Sequence, residues 1–334
     1  MIAVSETVRK WLGAVDSVHG RIPQQRKRGR PYLYSTTVII RCYLLMLLYP
    51  RVRKHAALQA FLCRHGEARM LAGLHTVPHR TTLSRRFKVL GPSLQTRIRA
   101  MGLAFVLHGC VELHILMADG TLHQAAGPSW PAKYQKQGVL PRTLRHVDRS
   151  AGWGKSPYHG WVWGYRTHPV VALNLNLEPI PLLAEAQPAN VQDNTILARQ
   201  LPSLPPEATA LLLDSNYEDE ALVTAWQQYD EGVLTRWLIV DPKERPGRPA
   251  PWRQQMQISR LLEEADLYGL RSKLMEPFFA HWKEAFELDV VPLQGQDACA
   301  YLLLALYGYQ LLIWDNLQTG RPTYAYRHLV LGFD

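Results

Sequence analysis

The sequence predicts an all-α domain followed by an α/β domain, in which helices flank a mixed sheet. Three observations support this division. Apolar residues in the first 108 positions recur at helical spacing, without an alternating strand pattern. From Val111 onward, short alternating or all-apolar runs separate helical segments, as in α/β proteins. The charge also changes at this point, from strongly basic to weakly acidic.

Four helices are predicted within the basic segment. The first runs to Tyr49 and begins at Ser35, Thr36 or Thr37, because hydroxyl side chains cap helix N-termini. Apolar periodicity predicts three more helices, the last with a cap at Thr81 or Thr82: His55–Cys63, Ala68–Leu74 and Thr81–Leu90. Short helices with tight turns are typical of a helix-turn-helix-like bundle.

The charge of this segment favours a polyanionic partner. Residues 1–108 contain 19 lysines and arginines and three acids, a net charge of +16, whereas residues 109–334 carry −6. Such asymmetry is typical of a nucleic-acid-binding module joined to a second domain. A helical dimerisation domain is the alternative, but so few acids would be an unusual surface for it. We therefore expect residues 1–108 to bind duplex DNA, even when they are expressed alone.

A basic arm precedes the predicted helices. Residues 21–31 include the run Arg-Lys-Arg-Gly-Arg-Pro, in which glycine and proline keep the backbone extended. Arg28 and Arg30 of this run flank the glycine, and such arginines can enter the narrow minor groove of A·T-rich DNA. A solvated basic linker is the alternative interpretation.

The second domain, residues 109–334, begins with an alternating strand over Val111–Met117. A Gly- and Pro-rich loop follows, and then two strands that are joined by a turn at His168-Pro169. The all-apolar run Ala210–Leu213 predicts a central strand that is covered on both faces. The remaining predicted elements are, in order, a helix, a strand, a loop and three helices: Glu220–Tyr229, Leu234–Val240, Arg245–Pro251, Gln254–Asp266, Glu276–Leu288 and Ala298–Trp314.

Two of the predicted strands are each followed by an aspartate. Asp119 follows the first strand, and Asp214 follows Ala210–Leu213. In an open α/β sheet, ligands bind at the edge where the carboxyl ends of neighbouring strands meet. Two carboxylates at close range repel each other, so the site would bind a metal or hold one acid protonated. Each aspartate can instead simply begin a turn.

A third candidate segment runs from Tyr268 to Lys283. Glu276 and Lys283 are two helical turns apart and share a face, while apolar neighbours can pack on the sheet: Leu274, Phe278, Trp282 and Phe286. Glu276 would supply a third metal ligand, and Lys283 a positive group for a phosphate oxygen. Because Pro277 follows Glu276, the helix is predicted to begin there. The pattern alone also suits an amphipathic surface helix.

These motifs resemble the DDE-type transposases of bacterial insertion sequences that carry a Tyr-Arg-Glu-Lys signature. The matching catalytic segments are Asp119-Gly120-Thr121, Trp163–His168, Asn190–Asp193, Asp214 and the series Tyr268, Arg271, Glu276 and Lys283. The segments that resemble the family's DNA-binding region are Gly73-Leu74, Val77-Pro78 and Thr81–Arg86. Four residues separate Arg271 from Glu276, one more than in the family signature.

The resemblance implies a ribonuclease-H-like catalytic core and a set of site residues. Asp119, Asp214 and Glu276 would hold two Mg²⁺ or Mn²⁺ ions, since oxygen ligands favour these metals over zinc. The residues expected to contact DNA are Arg28, Arg30, Arg85, Arg86, Tyr268, Arg271 and Lys283. The implied reaction is hydrolysis at the ends of a mobile element, followed by strand transfer into target DNA. We expect a homodimer on double-stranded DNA.

Two other functions would use the same acids. A metal-dependent nuclease would cut DNA without joining it, and a non-enzymatic descendant would bind DNA without cutting. The four cysteines are far apart and form no CxxC pair, so neither a disulfide framework nor a zinc ribbon is indicated. This favours a reducing cytosol, and the resemblance implies a bacterial cytoplasm, at the nucleoid. The apolar run Ala300–Trp314 is predicted as a buried helix rather than a membrane span.

Overall fold

The computed structural model describes residues 6–17, 33–49, 52–156, 160–230, 233–240, 250–254, 256, 267–327 and 329. The basic arm with Arg28 and Arg30 lies outside these residues, as does most of the predicted loop Arg245–Pro251 and of the predicted helix Gln254–Asp266.

The described part of the N-terminal segment is helical, as predicted. Its helices are α1 (Glu6–Ser17), α2 (Thr36–Leu48), α3 (His55–Arg64), α4 (Gly66–Leu71), α5 (Arg80–Lys88) and α6 (Gly91–Leu107). Ser35 caps α2 by accepting a hydrogen bond from the Val38 N–H. The cap predicted for α5 is wrong, because His79 Nδ1, not a threonine, accepts from the Thr81 N–H. The helix-turn-helix-like arrangement stays a prediction.

The rest of the chain forms a mixed sheet with flanking helices. The described strands are β1 (Glu112–Ala118), β2 (Thr121–Ala125), β3 (Gly152–Ser156), β4 (Gly160–Leu173), β5 (Pro179–Pro188), β6 (Ala210–Leu213), β7 (Gln228–Asp230), β8 (Val233–Val240) and β9 (Val290–Val291). Their order is β7-β8-β6-β1-β4-β2-β9, and β3 and β5 also pair with β4. The strands β1, β6 and β8 are parallel, and β4 is antiparallel to β1 and β5. This arrangement fits the ribonuclease-H-like core that the sequence predicts.

The helices of this part are α7 (Ala132–Lys136), α8 (Asp193–Gln200), α9 (Glu220–Trp226), α10 (Leu267–Phe286) and α11 (Gln296–Gln318). The predicted start of a helix at Glu276 is wrong, because α10 begins nine residues earlier and contains Pro277. A proline inside a helix removes one backbone hydrogen bond. The apolar face of α10 is nevertheless buried on the fold, through Met275, Phe278, Trp282 and Phe286.

The predicted turn at His168-Pro169 is also wrong, because β4 continues through both residues. Pro169 pairs with Ala184 of β5 beside a register shift at Val170 and Val171, and such irregularities tolerate the missing N–H of proline. The chain turns after β4 instead, where the Asn174 side-chain oxygen accepts hydrogen bonds from backbone N–H groups of the turn.

Helix α11 lies at the centre of the hydrophobic core and contacts both parts of the chain. The Trp11 indole of α1 donates to the Gly308 carbonyl at 2.9 Å, and Trp11 stacks on Phe286 of α10. The Gln310 amide donates to the carbonyls of Ile98 in α6 and Pro181 in β5, at 3.0 and 2.8 Å. The helices before residue 109 thus share one core with the sheet. As a domain boundary, residue 108 stays a prediction.

Helix α11 is also long and apolar enough to cross a membrane by length and composition. In the structure, 89% of its apolar 18-residue window is buried inside the fold. The prediction of a buried helix over Ala300–Trp314 is therefore confirmed.

Candidate active site

The two aspartates that follow strands lie side by side. In the parallel pair β1 and β6, Ile115 is opposite Ala210 and Met117 is opposite Leu212. Two residues further along, the same register sets Asp119 beside Asp214. Adjacent strands are about 4.8 Å apart, so the two carboxylates leave neighbouring strand ends. The prediction that these strands are neighbours is confirmed.

Local hydrogen bonds hold each aspartate where its strand ends. The Asp119 Oδ1 accepts the N–H of Gly120 at 2.7 Å. Asp214 accepts two hydrogen bonds from Asn216, at 2.8 Å from the backbone N–H and at 2.9 Å from the side-chain amide. Both strands are anchored by buried apolar residues immediately before the acids. The carboxylates are thus fixed at the carboxyl edge of the sheet, where ligands of α/β proteins bind.

Arg271 of α10 reaches this pair of acids. Its Nη1 donates to the Asp119 Oδ2 at 2.8 Å. Burial, and next the negative charge of Asp214, raise the pKa of Asp119 to about 7, although the Arg271 guanidinium opposes the shift. The Arg271 Nε is buried and has no hydrogen-bond partner among the described residues.

A third carboxylate of the site, Asp193, was not selected from the sequence. It begins α8 and forms an ion pair with Arg166 of β4. Burial raises the pKa of Asp193 to about 6, Arg166 opposes the shift, and the charge of Asp214 adds to it. The Asn190–Asp193 segment is part of the family resemblance, but the position of Asp193 beside Gly120 depends on how the start of α8 packs on the sheet.

The backbone of Gly120 leaves no room for a side chain beside Asp193. A Cβ atom at position 120 would lie 2.0 Å from the Asp193 Oδ1 and 3.2 Å from the Arg166 Cδ. We therefore expect Gly120→Ala to displace the Asp193–Arg166 ion pair and to lower the free energy of unfolding by about 1–3 kcal/mol. Urea unfolding measures this loss. Gly91→Ala is the control, because a Cβ there meets nothing within 4 Å. Equal stability of the two variants would contradict the close contact.

A network of neutral, buried side chains lies near the acids. The Gln200 amide nitrogen donates to the His168 carbonyl, so its oxygen accepts from the His168 Nδ1–H at 2.8 Å. The His168 Nε2 then accepts from the Tyr217 hydroxyl at 2.6 Å. Burial lowers the pKa of His168 to about 3, so the imidazole is neutral at physiological pH. His168 is thus a structural residue of the site.

The structure does not bring Glu276 together with the two aspartates in a metal-binding geometry. Glu276 is exposed on α10. Five residues along an α-helix correspond to a rotation of about 140°, so Glu276 faces away from the side that carries Arg271. Met275, four residues after Arg271, is buried on that side instead. Within the described part of the chain, no group of three His, Cys, Asp or Glu side chains could hold a metal ion.

The other signature residues of α10 contact protein groups. The Arg271 guanidinium carbon lies 5.8 Å from the centre of the Tyr268 ring, which is a cation–π distance. The Lys283 Nζ donates to the Leu122 carbonyl of β2 at 2.9 Å. Burial also lowers the pKa of Lys283. Lys283 therefore links α10 to the sheet through this hydrogen bond and is not a freely solvated surface cation.

The contact of Lys283 predicts a loss of stability when the ammonium is removed. Lys283→Met keeps the aliphatic stem but leaves the Leu122 carbonyl without its donor, which should lower the free energy of unfolding by about 1–3 kcal/mol. Chemical denaturation of the full chain measures the effect. Lys273→Met is the matched control, because Lys273 is exposed on the same helix and should change stability by less than about 0.5 kcal/mol. A Lys283 variant as stable as the control would count against this role.

Four arginines of the N-terminal part are predicted to contact DNA, and the structure describes two of them, Arg85 and Arg86. Of these two, only Arg85 is exposed. Arg86 is 7% exposed, and its Nη2 lies 3.1 Å from the Thr36 Oγ1. The sequence pattern cannot distinguish the two positions, because adjacent helical residues point about 100° apart and the buried side is set by packing.

The donor set at the strand ends suits a hard divalent cation. Mg²⁺ is usually held by one or two carboxylates together with water and substrate phosphates. Asp119 and Asp214 supply two such carboxylates, and their mutual repulsion favours a cation between them. The two-ion arrangement implied by the resemblance stays a prediction.

No protein family model matches this chain, and no curated protein matches it. Among solved structures, the chain is similar to the Mos1 mariner paired end complex with Mn, at 13% identity and a TM-score of 0.20. It is also similar to the Mos1 transposase paired-end complex with left transposon end, at 11% identity and a TM-score of 0.19. Both alignments cover 93% of this chain and 86% of the other. A TM-score this low does not establish a common fold.

Proposed function

We propose that this chain is a DNA transposase that cuts and joins phosphodiester bonds with the help of divalent metal ions. The observation that carries the proposal is the side-by-side placement of Asp119 and Asp214 at the ends of two parallel strands, with Arg271 on Asp119. The resemblance to insertion-sequence transposases supplies the reaction type. On this proposal, the protein acts on double-stranded DNA as a homodimer in the bacterial cytoplasm.

On this proposal, some residues of the site bind a cation and others bind a phosphate group. Asp119 and Asp214 would hold Mg²⁺ or Mn²⁺, with Asp193 or Glu276 as the third carboxylate. A bound divalent cation supplies Lewis-acid stabilisation of the phosphoryl oxygens and of the attacking hydroxyl. The Arg271 guanidinium, which donates to Asp119, would also donate to a non-bridging phosphate oxygen when DNA binds. A fixed guanidinium at that position also stabilises negative charge that develops on the phosphate.

Incubation of the full chain with a plasmid that carries its own gene and flanking DNA tests this proposal. In Mg²⁺ or Mn²⁺ we expect cleavage at the ends of the element and new junctions with target DNA, which sequencing detects. In EDTA we expect binding without cleavage. Cuts without junctions would identify a metal-dependent nuclease. Binding without cuts in either metal would identify a non-enzymatic DNA-binding protein and would overturn the proposal.

A further inference from the structure

A concave surface, separate from the candidate active site, lies between the N-terminal helices and the sheet. It has a volume of about 930 Å³. One wall is formed by α5 and the start of α3, and the other by the segments that follow β2 and β9, Gly127–Pro128 and Pro292–Gln294. We call this surface the α5 groove.

The wall of the α5 groove carries four cations. Arg80, Arg85 and Lys88 lie on α5, Lys54 directly precedes α3, and all four are exposed. None of the four forms an ion pair with a residue that the structure describes. The described acid in the groove, Asp297, is already engaged, because its Oδ2 lies 3.0 Å from the His55 Nε2. The groove therefore carries positive charge that the described residues do not neutralise.

The described acids of the N-terminal segment are neutralised away from this groove. Asp16 forms an ion pair with Arg41, and Glu67 forms one with Arg9. Neither of these two acids therefore offsets the four cations of the groove.

One face of α5 is built for a polar ligand. The residues that line the groove follow helical spacing, and hydroxyl groups lie between the cations: Arg80, Thr81, Ser84, Arg85 and Lys88. The opposite face is buried in the core through Leu83 and Phe87. Lysine, arginine, serine and threonine side chains supply most protein contacts to DNA phosphates. A helix with this face matches the backbone of a duplex in charge and in hydrogen-bonding groups.

The groove is connected to the candidate active site by a single strand. Strand β2 runs from the Asp119-Gly120 turn to the groove wall at Gly127. Eight residues of extended chain span roughly 26 Å at most. This distance corresponds to about eight base pairs of duplex. One duplex can therefore reach both places.

We propose that the α5 groove binds the phosphate backbone of double-stranded DNA, on the same duplex that Asp119 and Asp214 act upon. This inference rests on the proposed function for the nature of the ligand. Both parts of the chain form this surface together. Of its four cations, only Arg85 is among the residues that the sequence predicts to contact DNA.

The groove is tested by measuring how tightly the full chain binds a fluorescent duplex of about 16 base pairs. The measurements are made in EDTA and over a range of salt concentrations. The variant R85Q/K88Q should lose about tenfold or more in affinity, and its log–log salt slope should fall by about 2. The variant K54Q/R80Q should behave in the same way. The matched control is R64Q/R99Q, which removes two exposed cations of the same segment outside the groove. It should retain nearly all of the affinity.

Equal losses in the groove variants and the control would overturn the proposal, because they would show a diffuse effect of charge. Unchanged affinity and unchanged salt slope in both groove variants would also overturn the proposal. That result would indicate that the groove binds an acidic protein instead of DNA. Thermal melting checks that each variant is folded. Cleavage of the same duplex by the parent chain in Mg²⁺ separates the two proposals. If the parent binds through the groove but never cuts DNA, the proposed function fails and the groove stands.

Discussion

Replacing Asp119 or Asp214 by asparagine is expected to reduce metal-dependent cleavage of DNA by about a thousandfold or more, because the amide keeps the shape but cannot hold a divalent cation. DNA affinity in EDTA should stay close to that of the parent. Gel assays with labelled duplex measure both quantities. Glu112→Gln is the matched control, since Glu112 is an exposed acid at the other end of β1 and should leave cleavage unchanged. Full activity of either asparagine variant would overturn the assignment.

The same assay identifies the third carboxylate. The resemblance assigns this role to Glu276, whereas the structure places Asp193 beside Gly120 and leaves Glu276 exposed. If Asp193 is the third acid, Asp193→Asn should lose cleavage and Glu276→Gln should keep it. The reverse result would mean that α10 moves toward the aspartates when DNA and metal bind. Urea unfolding of both variants separates loss of activity from loss of folding.

Metal-free protein should also show a pH dependence that originates at Asp119. Its pKa is about 7 in the folded chain against an ordinary value of 3.8, so the folded state binds more protons than the unfolded state between these values. The stability that this group contributes is complete below about pH 4 and is lost as the pH rises through about 7. At pH 8 in EDTA, Asp119→Asn should therefore melt at a higher temperature than the parent, and adding Mg²⁺ should stabilise only the parent.

Residues 1–108 expressed alone are expected not to fold, in contrast to what their charge and helical pattern suggest. Trp11 of α1 packs on Phe286 and donates to Gly308, and Arg53 forms an ion pair with Glu287. Without α10 and α11 these helices expose their buried faces, which stabilise helices far more than intrinsic propensity does. Circular dichroism should show little helix and no cooperative melting.

Co-expression with residues 109–334 is the control for this experiment. The two fragments should associate and recover the helical signal, since each supplies the missing half of the core. A fragment 1–108 that melts cooperatively on its own would show that the shared core is dispensable and that residue 108 is a true domain boundary.

The elements that local patterns determine were predicted well from the sequence. Strand β6 has the predicted bounds, and α2 begins at the predicted cap, because an all-apolar run and a hydroxyl cap act over a few residues. Two of the wrong predictions placed a break at a proline. Around Pro169 and Pro277, packing against neighbouring elements holds the strand and the helix together despite the lost N–H. The predicted helix Glu220–Tyr229 is also too long, because α9 ends at Trp226 and Gln228–Asp230 forms β7.

The candidate site was predictable only in part, for a related reason. Asp119 and Asp214 each follow a recognisable strand, so their meeting at one sheet edge could be inferred. Asp193 reaches the site through the pairing of β4 with β2 and β5 and through the start of α8. The burial of Arg86 and the backbone contact of Lys283 likewise depend on which side of a helix faces its neighbours. Such information is absent from residue spacing.

The central position of α11 has a consequence for how the chain is made. The N-terminal helices leave the ribosome first, but the helix that covers them is separated from α6 by roughly 200 residues. At synthesis rates of about 5–20 residues per second, roughly 10 to 40 seconds pass before their packing partner is made. During that time the nascent chain exposes apolar surface and is a client for chaperones. Translation products that end before α11 therefore lack a completed core.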